Sequence, residues 1–266
     1  MYFLTEKILT KNEELVLFGL CRFPNDTDKG ISEKLKMVES TFTTIKNKLS
    51  EQGLFQPYFV PMVNKIGCEL MGIIFSNFNL VIPLEQRINI TKRTIEISDE
   101  IFLSIGEPEK GFSVSLSKNY TDFARINEIR TETFGRIGLL EDEFPHEILF
   151  PFEISHIINF FNFDQLLKDS FSIESFEDKE DKDEWFKGDP ITNLSDNEKK
   201  VLISIIENPE NTTQEIGDSV GITRQSAGTI KNKFIEEYGL IKRIIVPNLK
   251  KIGFKIFTFY SFKFNC

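Results

Sequence analysis

The pentapeptide TIKNK occurs twice, at Thr44–Lys48 and at Thr229–Lys233, 185 positions apart. At the same offset Leu9–Glu13 (LTKNE) aligns with Leu194–Glu198 (LSDNE), Pro24 with Pro209 and Ile31 with Ile216. One inserted residue near Tyr238 moves the offset to 186. After it, Gly53-Leu54 meets Gly239-Leu240, Val60-Pro61 meets Val246-Pro247, and Lys65–Gly67 (KIG) meets Lys251–Gly253. The last match sets Phe78-Asn79 against Phe264-Asn265. Chance accounts for a repeated pentapeptide but not for collinear matches of this length, so the sequence reads as an internal duplication. That reading is a strong constraint. Any fold assigned to one end must also suit the other, and the residues between form a separate middle.

Both ends carry the same local physics. Thr10 with Glu13, and Ser195 with Glu198, have capping-box spacing, in which a hydroxyl and a carboxylate satisfy the free N–H groups that open a helix. Apolar stripes follow, Leu15, Leu17, Phe18 and Cys21 in one copy and Val201, Leu202, Ile205 and Ile206 in the other. The proline-containing RFPNDTD and ENPENTT end that helix and start a second, which holds Ile31, Leu35 and Val38, or Ile216 and Val220. In VGITRQSAGTIKNKFIEE a sharp turn at Gly221 leads into a third helix. The β-rich GLFQPYFVP and GLIKRIIVP read as hairpin candidates closed by proline. Three helices and a hairpin, with a tight turn between helices two and three, describe a winged helix-turn-helix.

The stretch GITRQSAGTIKNKFIEEYGLIKRIIVPNLKKIGF resembles the helix-turn-helix, wing and junction of Lrp/AsnC-type (feast/famine) transcription regulators, and the short domain is also similar to MarR-type winged helices. In the Lrp/AsnC family a βαββαβ regulatory domain of ferredoxin-like fold follows the winged helix. The middle of this chain has matching segments: CELMGIIFSNF as a strand, PLEQRINITKRTIEI as a helix, EIFLSIGEP and KGFSVSLS as two strands, NYTDFARINEIRTETF as a helix and EILFPFE as a strand. The expected fold class is therefore α+β, two winged helix-turn-helix domains flanking a ferredoxin-like domain. Its expected parts are residues 1–64, 65–172, an acidic linker 173–193, and 194–266. The resemblance implies a sequence-specific regulator of transcription that binds double-stranded DNA, forms a homodimer and responds to a small-molecule effector near the Gly106–Gly111 turn. A second winged helix after the regulatory domain departs from the family's pattern.

On the third helix, Phe42, Ile45 and Leu49 share one face, as do Ala227, Ile230 and Phe234. Asn47 and Asn232 then lie about 160° from the neighbouring isoleucines and point outward. Asparagine bonds adenine with two hydrogen bonds, and lysine neutralises phosphate or reaches guanine. The expected DNA contacts in the first copy are Ser40, Thr41, Thr43, Thr44, Lys46, Asn47 and Lys48. In the second they are Arg224, Gln225, Ser226, Thr229, Lys231, Asn232 and Lys233, with Lys242 and Arg243 in the wing. Through Val60 the chain has 8 basic and 8 acidic residues, whereas from Leu194 onward it has 11 basic and 8 acidic. DNA affinity depends on phosphate neutralisation, so the C-terminal head is expected to bind more strongly.

The remaining chemistry is sparse. The acidic excess gathers in ESFEDKEDKDEWFKGDP, read as a solvated linker with Trp185-Phe186 as an anchor. ISHIINFFNFDQLLKDSF before it reads as a helix covering the sheet or a subunit interface. Cys21, Cys68 and Cys266 are too few and too far apart for a disulfide framework or a metal site, which favours a reducing cytoplasm. His146 reads as a loop histidine among solvated acids. No apolar run approaches the roughly 20 residues of a membrane span, and the N-terminus has no secretory signal pattern. No catalytic constellation stands out, so neither an enzyme nor a cofactor is expected. The alternative is a protein-interaction scaffold whose winged helices dock other proteins with little direct DNA binding, a reading favoured by the neutral first head and the acidic middle.

Overall fold

The computed structural model describes residues 9–142, 145–177, 184–187, 191–256 and 258–262. The chain opens with helices α1 (Lys11–Arg22), α2 (Asp28–Lys34) and α3 (Glu39–Glu51), then strand β1 (Phe55–Pro61). The middle runs β2 (Leu70–Asn77), α4 (Leu84–Glu96), β3 (Ile101–Gly106), β4 (Lys110–Ser117), α5 (Tyr120–Gly135) and β5 (His146–Pro151). Next come β6 (Ile157–Ile158), α6 (Phe163–Phe171) and β7 (Glu184–Trp185). The last part comprises α7 (Asp196–Glu207), α8 (Thr213–Val220), α9 (Arg224–Asn232) and β8 (Ile241–Pro247). Two compact units result. The first takes the described parts of Met1–Pro61, Asn159–Asp183 and Leu194–Cys266, and the second those of Met62–Ile158 and Glu184–Asn193.

In the first unit the matched segments build matched elements. Thr10 caps α1 and Ser195 caps α7, each in a reciprocal capping box with the glutamate three residues on. The turn from the second to the third helix needs a left-handed residue, supplied by Lys36 (φ 54°) in one copy and Gly221 (φ 79°) in the other. Left-handed Gly53 (φ 60°) and Gly239 (φ 52°) then lead the third-helix segments into their strands. The residue inserted in the second copy is absorbed at the end of its third helix. There Lys233–Glu237 winds as a π-helical turn, whose extra residue per turn accommodates an insertion.

The strands depart from the expected hairpins. GLFQPYFVP and GLIKRIIVP contain no turn-forming pair in their interiors, so each yields one continuous strand that must find its partner elsewhere. β1 and β8 pair with each other, antiparallel, from Phe55 opposite Pro247 to Pro61 opposite Ile241. At the centre Tyr58 faces Ile244, its own counterpart at the 186 offset, so the ribbon maps onto itself when the two copies are exchanged. Packing is crossed as well. Phe59 of β1 lies in the core of α7, α8 and α9 with Val201, Ile205 and Phe234. Ile245 of β8 lies in the core of α1, α2 and α3 with Val16, Phe18 and Phe42. Each three-helix head is completed by the other copy's strand.

Helix α6 also belongs to this unit, where the sequence suggested a cover for the sheet or an interface. Its Leu167 is fully buried in the first head's core, and Asp164 bonds Arg22 at the C-terminal end of α1 at 2.8 Å. Phe176 continues the contact, its ring 5.1 Å from that of Phe18. The compact units therefore divide residues 65–193 differently from the sequence reading, because α6 buries its apolar face on α1.

In the second unit a four-stranded sheet runs in the order β3-β4-β2-β5, with every neighbour antiparallel. Leu70, Ile74 and Phe123 form a core between the sheet and α5. Gly72 is required at that contact, since a Cβ there would sit 2.4 Å from the Phe123 ring. The linker segment is partly structured. Trp185 and Phe186 are buried, β7 pairs with β6, and Phe186 packs on Phe152 at 5.3 Å. His146 lies on β5 rather than in a loop, stacked on Phe75 at 5.1 Å. Cys21 and Cys68 are half-buried and form no disulfide, Cys68 with its pKa pushed up by burial, while Cys266 lies outside the described residues. Among the described residues no helix is long and apolar enough to cross a membrane.

Candidate nucleic-acid interface

The third helices, α3 and α9, present the residues singled out in the sequence. Phe42 and Leu49 are buried beneath α3, with Ile45 half-buried; Ala227 and Phe234 are buried at the matching places, with Ile230 half-buried. The opposite face is open. Ser40, Thr41, Thr44 and Asn47 are exposed on α3, and Arg224, Gln225, Ser226, Thr229 and Asn232 are exposed on α9. Thr43 is half-buried. Thr44 and Thr229 each donate a hydroxyl hydrogen bond to the carbonyl four residues back, Ser40 at 2.8 Å and Gln225 at 3.0 Å. Such bonds leave the threonine methyl groups and oxygen lone pairs as the groups a ligand would meet.

The helix starts differ. Thr223 caps α9, accepting from the Ser226 amide at 3.1 Å and pairing with the Ser226 hydroxyl at 2.9 Å. The matching residue of α3 is Val38, which makes no cap bond and is 69% exposed. The turn before α9 is also tighter, because a Cβ on Gly217 would meet the Ile222 carbonyl at 2.9 Å. The second copy therefore holds its third helix with a capped end and a close backbone contact; in the first, Ser32 stands where the second has Gly217.

The lysines of TIKNK have internal partners. Lys48 bonds Glu13 at 2.6 Å and Lys233 bonds Glu198 at 2.9 Å, and both glutamates are the capping-box residues of their heads. Hydroxyl, glutamate and lysine thus form one chain in each copy, tying the end of the third helix to the start of the first. Glu198 is held at a pKa of about 2 by the Ser195 backbone amide, by Lys233 and by the Ser195 hydroxyl. Glu13 is lowered in the same sense, chiefly by Lys48 and the Thr10 amide. Tyr238 and Glu198 together push the Lys233 ammonium pKa up. Lys46 is bonded to Asp28 at 2.7 Å. Its counterpart Lys231 instead lies over the Phe59 ring at 5.0 Å, its pKa lowered by burial and by Arg243. Lys242 and Arg243 are half-buried in the central ribbon, opposite Val60 and Phe59, rather than at the tip of a wing hairpin.

The repeated charge therefore has a structural partner in each copy, and the open polar groups are those around it. The sequence pattern located the outward face, because helical periodicity separates it from the core. It missed the Glu13–Lys48 and Glu198–Lys233 pairs, although the signal was available: the partners stand 35 residues apart in both copies.

No protein-family model matches the chain, and no curated protein does either. Among solved structures it is similar to an AsnC-family transcriptional regulatory protein from Pyrococcus furiosus, at 19% identity over 60% of this chain and 97% of that one, with a TM-score of 0.43. AsnC from E. coli aligns at 12% identity over 53% and 91% of the two chains, with a TM-score of 0.40. A transcriptional regulator from Neisseria meningitidis in complex with L-Met aligns at 16% identity over 56% and 93%, with a TM-score of 0.41. Superpositions this loose leave the functional reading to the chain's own residues.

Proposed function

We propose that the protein is a sequence-specific DNA-binding transcription regulator of Lrp/AsnC type in which one chain carries a pair of helix-turn-helix heads that share a single β ribbon in place of two wings. The observation that supports this reading is the β1–β8 ribbon, whose register exchanges the two copies, each of which carries an open polar helix. Two heads joined through one such ribbon would suit a duplex read at two half-sites. In this reading Arg224, Gln225, Thr229 and Asn232 approach base edges from α9, and Ser40, Thr41, Thr44 and Asn47 do so from α3. Lys48 and Lys233 brace the heads instead of neutralising phosphate. The sheet order β3-β4-β2-β5 supports a ferredoxin-like regulatory domain in the middle, through which a homodimer contact and a small-molecule effector would act.

The second head is the stronger reader, because its helix start is capped, holds Arg224 and belongs to the more basic copy. In the first head Lys46 and Lys48 are both bound to carboxylates and Glu39 opens the helix, which favours a weaker DNA contact or a docked protein there. Selection of bound sequences from random duplexes tests the proposal, with wild type set against Asn47→Ala and Asn232→Ala. Loss of one bidentate base contact costs about 1–3 kcal/mol and relaxes preference at one position. We expect that effect from Asn232→Ala and a smaller one from Asn47→Ala. A chain with no affinity for random duplex even at low salt would be a protein-docking scaffold, and the proposal would fall.

A further inference from the structure

The duplication runs past the two heads. At the 186 offset residues 254–265 (FKIFTFYSFKFN) meet residues 68–79 (CELMGIIFSNFN), the segment that holds β2. The backbone repeats as far as the preceding glycines, left-handed Gly67 (φ 100°) and Gly253 (φ 104°). Beyond them the copies part. β2 is an inner strand with antiparallel neighbours on both sides, β4 and β5. Lys255, Ile256 and residues 258–262 belong to no helix or strand, and Tyr260 and Phe262 are 72% and 76% exposed. Exposed aromatic residues grouped in this way mark a contact surface. A segment of β-branched and aromatic residues, apolar at both alternating sets of positions like the inner strand it matches, satisfies its backbone and side chains by joining a sheet.

The sheet of the second unit presents an edge with the same requirement. β3 is outermost, its Phe102, Leu103 and Ile105 are exposed, and it carries no charged residue to discourage pairing. The other edge strand, β5, is defended by Glu147 and closed by Pro151. Acidic residues flank β3, with Asp99, Glu107 and Glu109 exposed, whereas residues 255–264 hold two lysines and no acid. We propose that the segment after Gly253 adds as an antiparallel strand to the β3 edge of a second copy of this chain, mutual exchange closing a dimer. Placing Lys255 opposite Glu107 sets Thr258 opposite Ser104 and Phe259 opposite Leu103. The bulge of β3 lies between Ile101 and Leu103, outside that run. Leu103 faces Val114 and Val114 faces Ile73, the residue that Phe259 matches at the 186 offset, so Phe259 enters the row of its own counterpart. This contact goes beyond the functional reading and does not depend on DNA.

Sedimentation equilibrium of the full-length chain without DNA tests it, with wild type set beside Tyr260→Pro and Leu103→Lys. Tyr260→Pro removes a backbone donor from a segment outside every described helix and strand, so the fold is kept while strand pairing is lost. Leu103→Lys sets a charge on the receiving edge. Each should weaken self-association about tenfold or more. A mixture of two single variants, Thr258→Cys and Ser104→Cys, reads the register. A short bismaleimide should join position 258 of one chain to position 104 of the other, as mapped by peptide mass. A monomeric wild type, self-association unchanged in Tyr260→Pro, or absence of that crosslink between chains would overturn the proposal. With no DNA present, none of these outcomes decides the DNA-binding reading.

Discussion

Glu198 should make the second head sensitive to pH in a defined window, and neutralising it should remove that sensitivity. Its carboxylate accepts from the Ser195 amide at 2.8 Å, from the Ser195 hydroxyl at 2.8 Å and from Lys233 at 2.9 Å, with a side chain 12% exposed. These partners lower its pKa from the ordinary 4.5 to about 2. A shift of that size corresponds to about 3 kcal/mol of stability, present above pH 4.5 and lost as the pH falls through the folded value near 2. Glu198→Gln keeps an acceptor for the Ser195 amide, so part of the stabilisation survives. The expected loss at neutral pH is about 1–3 kcal/mol. The assay is urea unfolding of the full chain followed by far-ultraviolet circular dichroism, a signal that reports mainly the first unit because most of the described helices belong to it. The gap between wild type and variant should be constant above about pH 5 and should narrow as the pH falls below 4.5. A variant as stable as wild type at neutral pH, or a gap that does not narrow in acid, would refute the reasoning.

Crossed packing gives a second expectation. Phe59→Ala should cost about 3–5 kcal/mol and accelerate amide exchange in α7 and α8 more than in α1, although Phe59 precedes those helices by more than a hundred residues. Ile245→Ala should cost about 2–5 kcal/mol and loosen α1 and α3 instead. Gly217→Ala forces a Cβ against the Ile222 carbonyl and should destabilise the second head by about 1–3 kcal/mol in the same urea assay. Lys36→Gly relieves a left-handed residue and should stabilise the first head by about 0.5 kcal/mol, the relief slightly exceeding the added chain entropy.

Much of the architecture was legible because its determinants are local. Thr10 with Glu13 and Ser195 with Glu198 satisfy helix ends within one turn, and each did so where the spacing indicated. The strand and helix segments of the middle were legible for the same reason, since their periodicity and punctuation lie within each segment. The one-residue shift between the copies was visible, but only the backbone revealed that a π-helical turn absorbs it.

The sequence by itself determined that the two ends share one local plan, that α3 and α9 turn an asparagine-bearing face outward, and that the second copy is the more basic. The tertiary structure decided which strand pairs with which, because an apolar strand satisfies its backbone with any antiparallel partner that fits and its own residues do not say whether that partner is near or far. It also decided what the TIKNK lysines do. A lysine on an exposed helix face looks the same whether it awaits a phosphate or already holds a carboxylate from 35 residues away, and only the folded chain brings Glu13 to Lys48 and Glu198 to Lys233.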